Sequence, residues 1–188
     1  MSMRAFICAD VSDPSIFHQA LRHPLFASRC IRRADTQPLH YTLFFIGETD
    51  DDAVDAISRE LDSICGRIRG FEVVYSGIGI FGGNSSPRVL WAGVHDDENL
   101  DRIIREISAK LAALGYMSEE RASVPHVTLA RFRCKPERQL VESIIEEYRN
   151  TEFGREKLTR VHLKRSILHP GGAEHVILHT SLLGGADH

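Results

Sequence analysis

Two pairs of neighbouring segments do most to restrict the fold. Residues 71–81 ("FEVVYSGIGIF") and 88–94 ("RVLWAGV") flank the turn-rich "GGNSSP", and residues 157–168 and 174–183 flank "HPGGA". Each segment is rich in β-branched and apolar residues and reads as a strand. Linkers of six and five residues are too short for the crossover that parallel neighbours require, so both pairs must be antiparallel. Helical patterns lie between them. From 51 to 69 Val54, Ile57, Leu61, Ile64 and Ile68 recur every three or four residues, with acids in the first turn and Arg67 and Arg69 in the last. Leu100, Ile103, Ile107, Leu111 and Leu114 form a second stripe that stops at Gly115, and Leu140, Val141, Ile144, Ile145 and Tyr148 a third after Pro136. A short helix over 14–21 has Ser12 or Asp13 as its cap and Pro14 in its first turn.

The remaining strands are residues 4–11, 38–48 and 123–132. A helix and then a strand pair follow both 38–48 and 123–132, so the spacing predicts an α+β chain that is bilobal and pseudo-two-fold. One two-lobed domain, 1–188, is expected to contain two antiparallel sheets with flanking helices.

The two strands that begin these repeats carry the same phrase, "HYTL" at 40–43 and "HVTL" at 126–129. At average composition a given His is followed by x-Thr-Leu in fewer than about one case in a hundred, so a doubled match among 10 histidines is not chance. Side chains at i and i+2 of a strand share a face. His40 and Thr42 therefore point together, as do His126 and Thr128, while Tyr41, Leu43, Val127 and Leu129 pack inward. Two such strands facing one another hold two imidazoles and two hydroxyls around one small volume.

That set suits in-line opening of a cyclic phosphodiester. One imidazole takes a proton from the attacking water while the other gives one to the departing oxygen, near neutral pH. The hydroxyls hydrogen-bond the non-bridging oxygens as charge develops there, aided by a nearby Arg. No acidic cluster for a two-metal site stands out, so no metal and no cofactor are expected.

Composition narrows the setting. A net charge of −3 argues against non-specific coating of nucleic acid. Basic residues still cluster near the motifs: Arg29, Arg32 and Arg33 before the first, Arg131, Arg133 and Lys135 after the second, and Arg160, Lys164 and Arg165 further on, which favours a local anion site. Neither a signal-peptide core nor an apolar run long enough to span a bilayer is present. Cys8, Cys30, Cys65 and Cys134 lack ligand-like spacing and read as reduced thiols. A cytoplasmic protein without membrane partners follows, and it is expected to act as a monomer.

With these residues in view, the chain resembles the two-histidine phosphoesterase superfamily, and within it the RNA 2′,3′-cyclic phosphodiesterases, also called the 2′,5′ RNA ligase family. The resemblance runs through "MRAFICADV", "PLHYTLFFIGE", "GIGIF" with "RVLWAGV", "VPHVTLAR" and "SILHPGGAEH". It implies a central cleft between lobes and metal-free hydrolysis of RNA 2′,3′-cyclic phosphate ends to a 2′-phosphate. RNA bearing such an end, tRNA fragments included, is the implied partner. By position His40 and His126 would be the catalytic pair, Thr42 and Thr128 the phosphate-binding hydroxyls, and Arg131 a further phosphate contact, although strict alternation places Arg131 opposite His126. The family's closing Tyr is replaced by His175. Ligation of tRNA halves, hydrolysis of another cyclic phosphate, and RNA or nucleotide binding without catalysis are the alternatives. Phe81 and Trp91 are expected in the core, His162, His169, His175 and His179 in non-ligand positions, and Gly82-Gly83 and Gly171-Gly172 in turns.

Overall fold

The computed structural model describes residues 3–34, 38–118, 124–170 and 172–184. Its strands are β1 (Met3–Asp10), β2 (Ile31–Arg33), β3 (His40–Thr49), β4 (Phe71–Gly83), β5 (Ser86–His95), β6 (His126–Phe132), β7 (Glu152–Leu158), β8 (Arg160–His169) and β9 (Gly172–Leu182). Its helices are α1 (His18–Leu21), α2 (Asp51–Cys65), α3 (Asn99–Ala113) and α4 (Arg138–Tyr148), with single helical turns at Pro14–Phe17 and Pro24–Ala27. The strands run β7-β4-β5-β6-β3-β1-β8-β9, and β2 adds to β6. Neighbours are antiparallel throughout.

This order divides into two halves of four strands that meet at β3 and β6. The junction is one residue pair, Tyr41 with Val127, and these are the middle residues of the two His-x-Thr motifs. A pseudo-two-fold thus passes between the motifs. The expected pair of antiparallel sheets is present as the two halves of one splayed sheet.

The repeat seen in sequence does not build each half from one stretch of chain. The β4–β5 hairpin follows α2 yet pairs with β6, and β8 of the β8–β9 hairpin pairs with β1. Edge availability explains the exchange. β1 already occupies the outer edge of β3, so the hairpin after α2 meets an open ladder only at β6, and the last hairpin finds the free edge of β1.

Packing follows the predicted stripes. Ile57, Leu61 and Ile64 of α2 and Ile103, Ile107 and Leu111 of α3 are buried, and the two helices pack on one another and on the half containing β3, β8 and β9. Burial of side chains of this size contributes about 1.5–3 kcal/mol each. Asp50 caps α2 by accepting from the Ala53 amide, and Asp96 accepts from the Asn99 and Leu100 amides at the start of α3. Helix α4 covers β4 of the other half.

Several boundaries differ from the sequence reading. Helix α2 stops at Cys65, and the predicted strand 157–168 breaks at Thr159 into the end of β7 and β8. Strand β2 and residues 152–156 of β7 had no counterpart in the prediction. Ser123 and Gly171 lie outside the described residues. Among those described, no helix is long and apolar enough to cross a membrane.

The reading of all four cysteines as free thiols is corrected: Cys30 and Cys134 form a disulfide, and Cys8 and Cys65 are free and buried. The cause is strand β2. It pairs Ile31 with Phe132, and the Arg133 amide donates to the Cys30 carbonyl at 2.7 Å, which brings the residues past the ladder's end together although 104 positions separate them.

Candidate active site

Both motif strands contain the same irregularity at the motif Leu. In β3 the partners of Cys8 and Ile7 are Thr42 and Phe44, skipping Leu43. In β6 the partners of Trp91 and Leu90 are Thr128 and Ala130, skipping Leu129. Each is a β-bulge, where one extra residue inverts the alternation beyond it. The burial pattern agrees, since Leu43 and Phe44 are consecutive buried residues, as are Leu129 and Ala130. Arg131 consequently turns to the face of His126 and Thr128, not the opposite face that strict alternation demands. Its pseudo-symmetric counterpart in β3 is Phe45.

All five predicted site residues therefore share the face of the sheet at the junction. An antiparallel pair centred on Tyr41 and Val127 sets His40 towards Thr128 and Thr42 towards His126. The two imidazoles are held alike: His40 Nδ1 lies 3.1 Å from the Pro38 carbonyl, and His126 Nδ1 lies 3.0 Å from the Val124 carbonyl. A carbonyl only accepts, so each Nδ1 carries a hydrogen and each Nε2 is left for chemistry.

The two histidines sit in different surroundings. His40 packs against Phe6, with ring centroids 5.4 Å apart, and edge-on against His175 at 5.0 Å. Burial lowers its pKa below the usual imidazole value; the Pro38 carbonyl and Asp10 oppose this, while Lys164 and His126 add to it. His126 instead meets Phe81 edge-on at 4.7 Å and lies 6.1 Å from the Trp91 ring. Phe81 and Trp91 are thus half-buried walls of the cleft, not core residues as expected. The ring of Trp91 lies across from Gly79, where a Cβ would overlap it.

Three residues near His40 escaped the sequence reading as site components. Lys164 is only 2% exposed and donates to Asp10 Oδ1. Asp10 Oδ2 also lies 3.8 Å from His162 Nε2. His175 faces His40, and burial first, then His40, Lys164 and Arg131, push its pKa down to about 4. It is uncharged at neutral pH. The substitution of His for the family Tyr was legible, but its contact with His40 depends on the long β8–β9 hairpin.

The four late histidines do not form one cluster. His162 bonds Thr180 at 2.9 Å, His169 pairs with Glu174, His175 enters the cleft, and His179 bonds Asp62 at 2.8 Å.

Comparison with known proteins bears on the family and the fold. A model of the 2'-5' RNA ligase superfamily matches residues 11–167. An RNA 2',3'-cyclic phosphodiesterase of Archaeoglobus fulgidus is 31% identical over 173 residues, covering 90% of this chain and 94% of the relative. TT0787 of Thermus thermophilus superposes with a TM-score of 0.79 at 22% identity, covering 98% of this chain and 100% of that one. LigT of E. coli complexed with 3'-AMP gives a TM-score of 0.73 at 23% identity, with 97% and 99% covered. At such identities the two structural matches speak for the fold. The fold and the paired motif define a phosphoesterase-type enzyme. The chain belongs to the 2'-5' RNA ligase superfamily.

Proposed function

We propose that this chain hydrolyses the 2′,3′-cyclic phosphate end of RNA to a 2′-phosphate, with His40 and His126 as base and acid. The observation that carries the reading is the Tyr41–Val127 pair, because it sets one imidazole and one hydroxyl from each half around a common volume. The Archaeoglobus relative's name points to the same substrate.

His40, whose uncharged form burial favours, accepts a proton from water through Nε2 as the water oxygen bonds to phosphorus. The bond from phosphorus to O3′ breaks on the far side, and His126 Nε2 donates the proton that O3′ takes up. Thr42 and Thr128 hydrogen-bond the non-bridging oxygens, and Arg131 balances their charge. Groups of this kind are each worth roughly 10²–10³ in rate when they meet charge that develops in the transition state.

The reading is tested by product analysis on a short RNA ending in a 2′,3′-cyclic phosphate, with chelator present. A 2′-phosphate product is expected. An unchanged end, a 3′-phosphate product, or loss of turnover on chelation contradicts it.

A further inference from the structure

Arg32 and Arg131 stand directly opposite one another on the β2–β6 ladder. Like charges in that relation cost stability. The bulge at Leu129 sends Arg131 to the cleft face, and a directly opposed residue shares that face, so Arg32 points there too. Its guanidinium reaches the tip of the β8–β9 hairpin. There a Cβ on Gly172 would overlap Arg32 Nη2 and stand 3.2 Å from Cζ, and the φ of +133° at Gly172 is itself a glycine conformation. The hairpin thus leaves a seat for this side chain.

Six of the arginines elsewhere are neutralised. Arg4, Arg67, Arg102, Arg138, Arg149 and Arg155 each ion-pair with a glutamate. Among the described residues neither Arg32 nor Arg131 has a carboxylate partner. Two unneutralised guanidiniums side by side on rigid strands form a place for an anion, and the planar fork of Arg suits phosphate in particular.

The two exits of the cleft also differ in charge. Past Thr42 and Phe45 a groove of about 910 Å³ runs along α3, and its lining carries four acids, Asp96, Asp97, Glu98 and Asp101, against one arginine, Arg105. Past Thr128 stand the two arginines. A polyanion leaving the reacting centre has one favourable direction.

We propose that Arg32 holds the phosphodiester next to the reacting phosphate, so that the cleft selects an RNA strand over a lone cyclic nucleotide. This inference rests on the phosphodiesterase reading of the site. Contact with the backbone carries no base identity, so the selection is for length and not for sequence.

The experiment compares wild type, Arg32→Ala and Arg32→Lys on an RNA hexamer ending in a 2′,3′-cyclic phosphate and on 2′,3′-cyclic AMP. In parallel, anisotropy follows binding of the hexamer ending in 2′-phosphate across a salt series. Arg32→Ala is expected to lower kcat/KM on the hexamer about ten-fold through KM, to leave 2′,3′-cyclic AMP unchanged, and to reduce the salt slope of hexamer binding by about 0.7. Arg32→Lys should restore the slope and part of the affinity. Equal losses on both substrates, or an unchanged slope, would overturn the proposal. Should wild type turn over neither substrate, the phosphodiesterase reading fails, while the binding arm still decides Arg32.

Discussion

At the scale of single residues, the two motif histidines are chemically alike in sequence and unlike in place. Each has Nδ1 fixed by a carbonyl two residues before it, so the difference lies in what surrounds the rings. His40 sits over Phe6 and near the buried Lys164–Asp10 pair. Burial and Lys164 both disfavour its protonated form, and Asp10 favours it. A base with a lowered pKa is competent at lower pH, so the acid limb of the kcat/KM profile should lie below the unperturbed imidazole value. Lys164→Met removes a cation and leaves Asp10 beside His40. Both changes raise the pKa of His40, and the acid limb must therefore move to higher pH. A profile measured on RNA ending in a cyclic phosphate checks this; a limb that stays or moves down would mean that His40 is not the base.

At the scale of elements, the same bulge at Leu43 and Leu129 aims Phe45 and Arg131, and the three-residue strand β2 places Arg32 and Cys30. The disulfide closes the ladder of β2 and β6 across a long separation in sequence. Titration of the unfolded, unreduced protein with a thiol reagent is expected to find two reactive thiols, from Cys8 and Cys65, and four after reduction. Four before reduction would contradict the pairing. Removing such a link typically costs about 2–5 kcal/mol, so reduction should also lower the melting temperature. Much at this scale was legible in the sequence. The period of Ile57, Leu61 and Ile64 marked α2, and short linkers marked two antiparallel hairpins. The rest was hidden for physical reasons. "IRR" is too short and too polar to show alternation, and β7 ("EFGREKL") mixes Gly with charges because only Leu158 of it is fully buried. A bulge adds a residue without changing composition, so Arg131 was assigned by alternation to the wrong face. Phe81 and Trp91 look like core residues because aromatic strands usually line cores; here they line the cleft beside His126.

At the scale of the whole molecule, neither half of the sheet is built from one half of the sequence. β8 and β9 complete the sheet that β1 and β3 begin, while β4 and β5 join β6 from across the junction. The centre of this arrangement is a single pair, Tyr41 and Val127, and it gives the site one histidine from each half. Acid and base placed on opposite sides of one phosphorus act as a unit, and losses within such a unit do not add. The most direct measurement is therefore the hydrolysis rate of a cyclic-phosphate RNA end by His40→Ala, His126→Ala and the double variant, each shown to be folded by its thermal transition. Each single change is predicted to lower kcat by about 10²–10⁴, with the double variant losing far less than the product of the two. A single variant that keeps the wild-type rate, or losses that multiply in full, would contradict the paired mechanism.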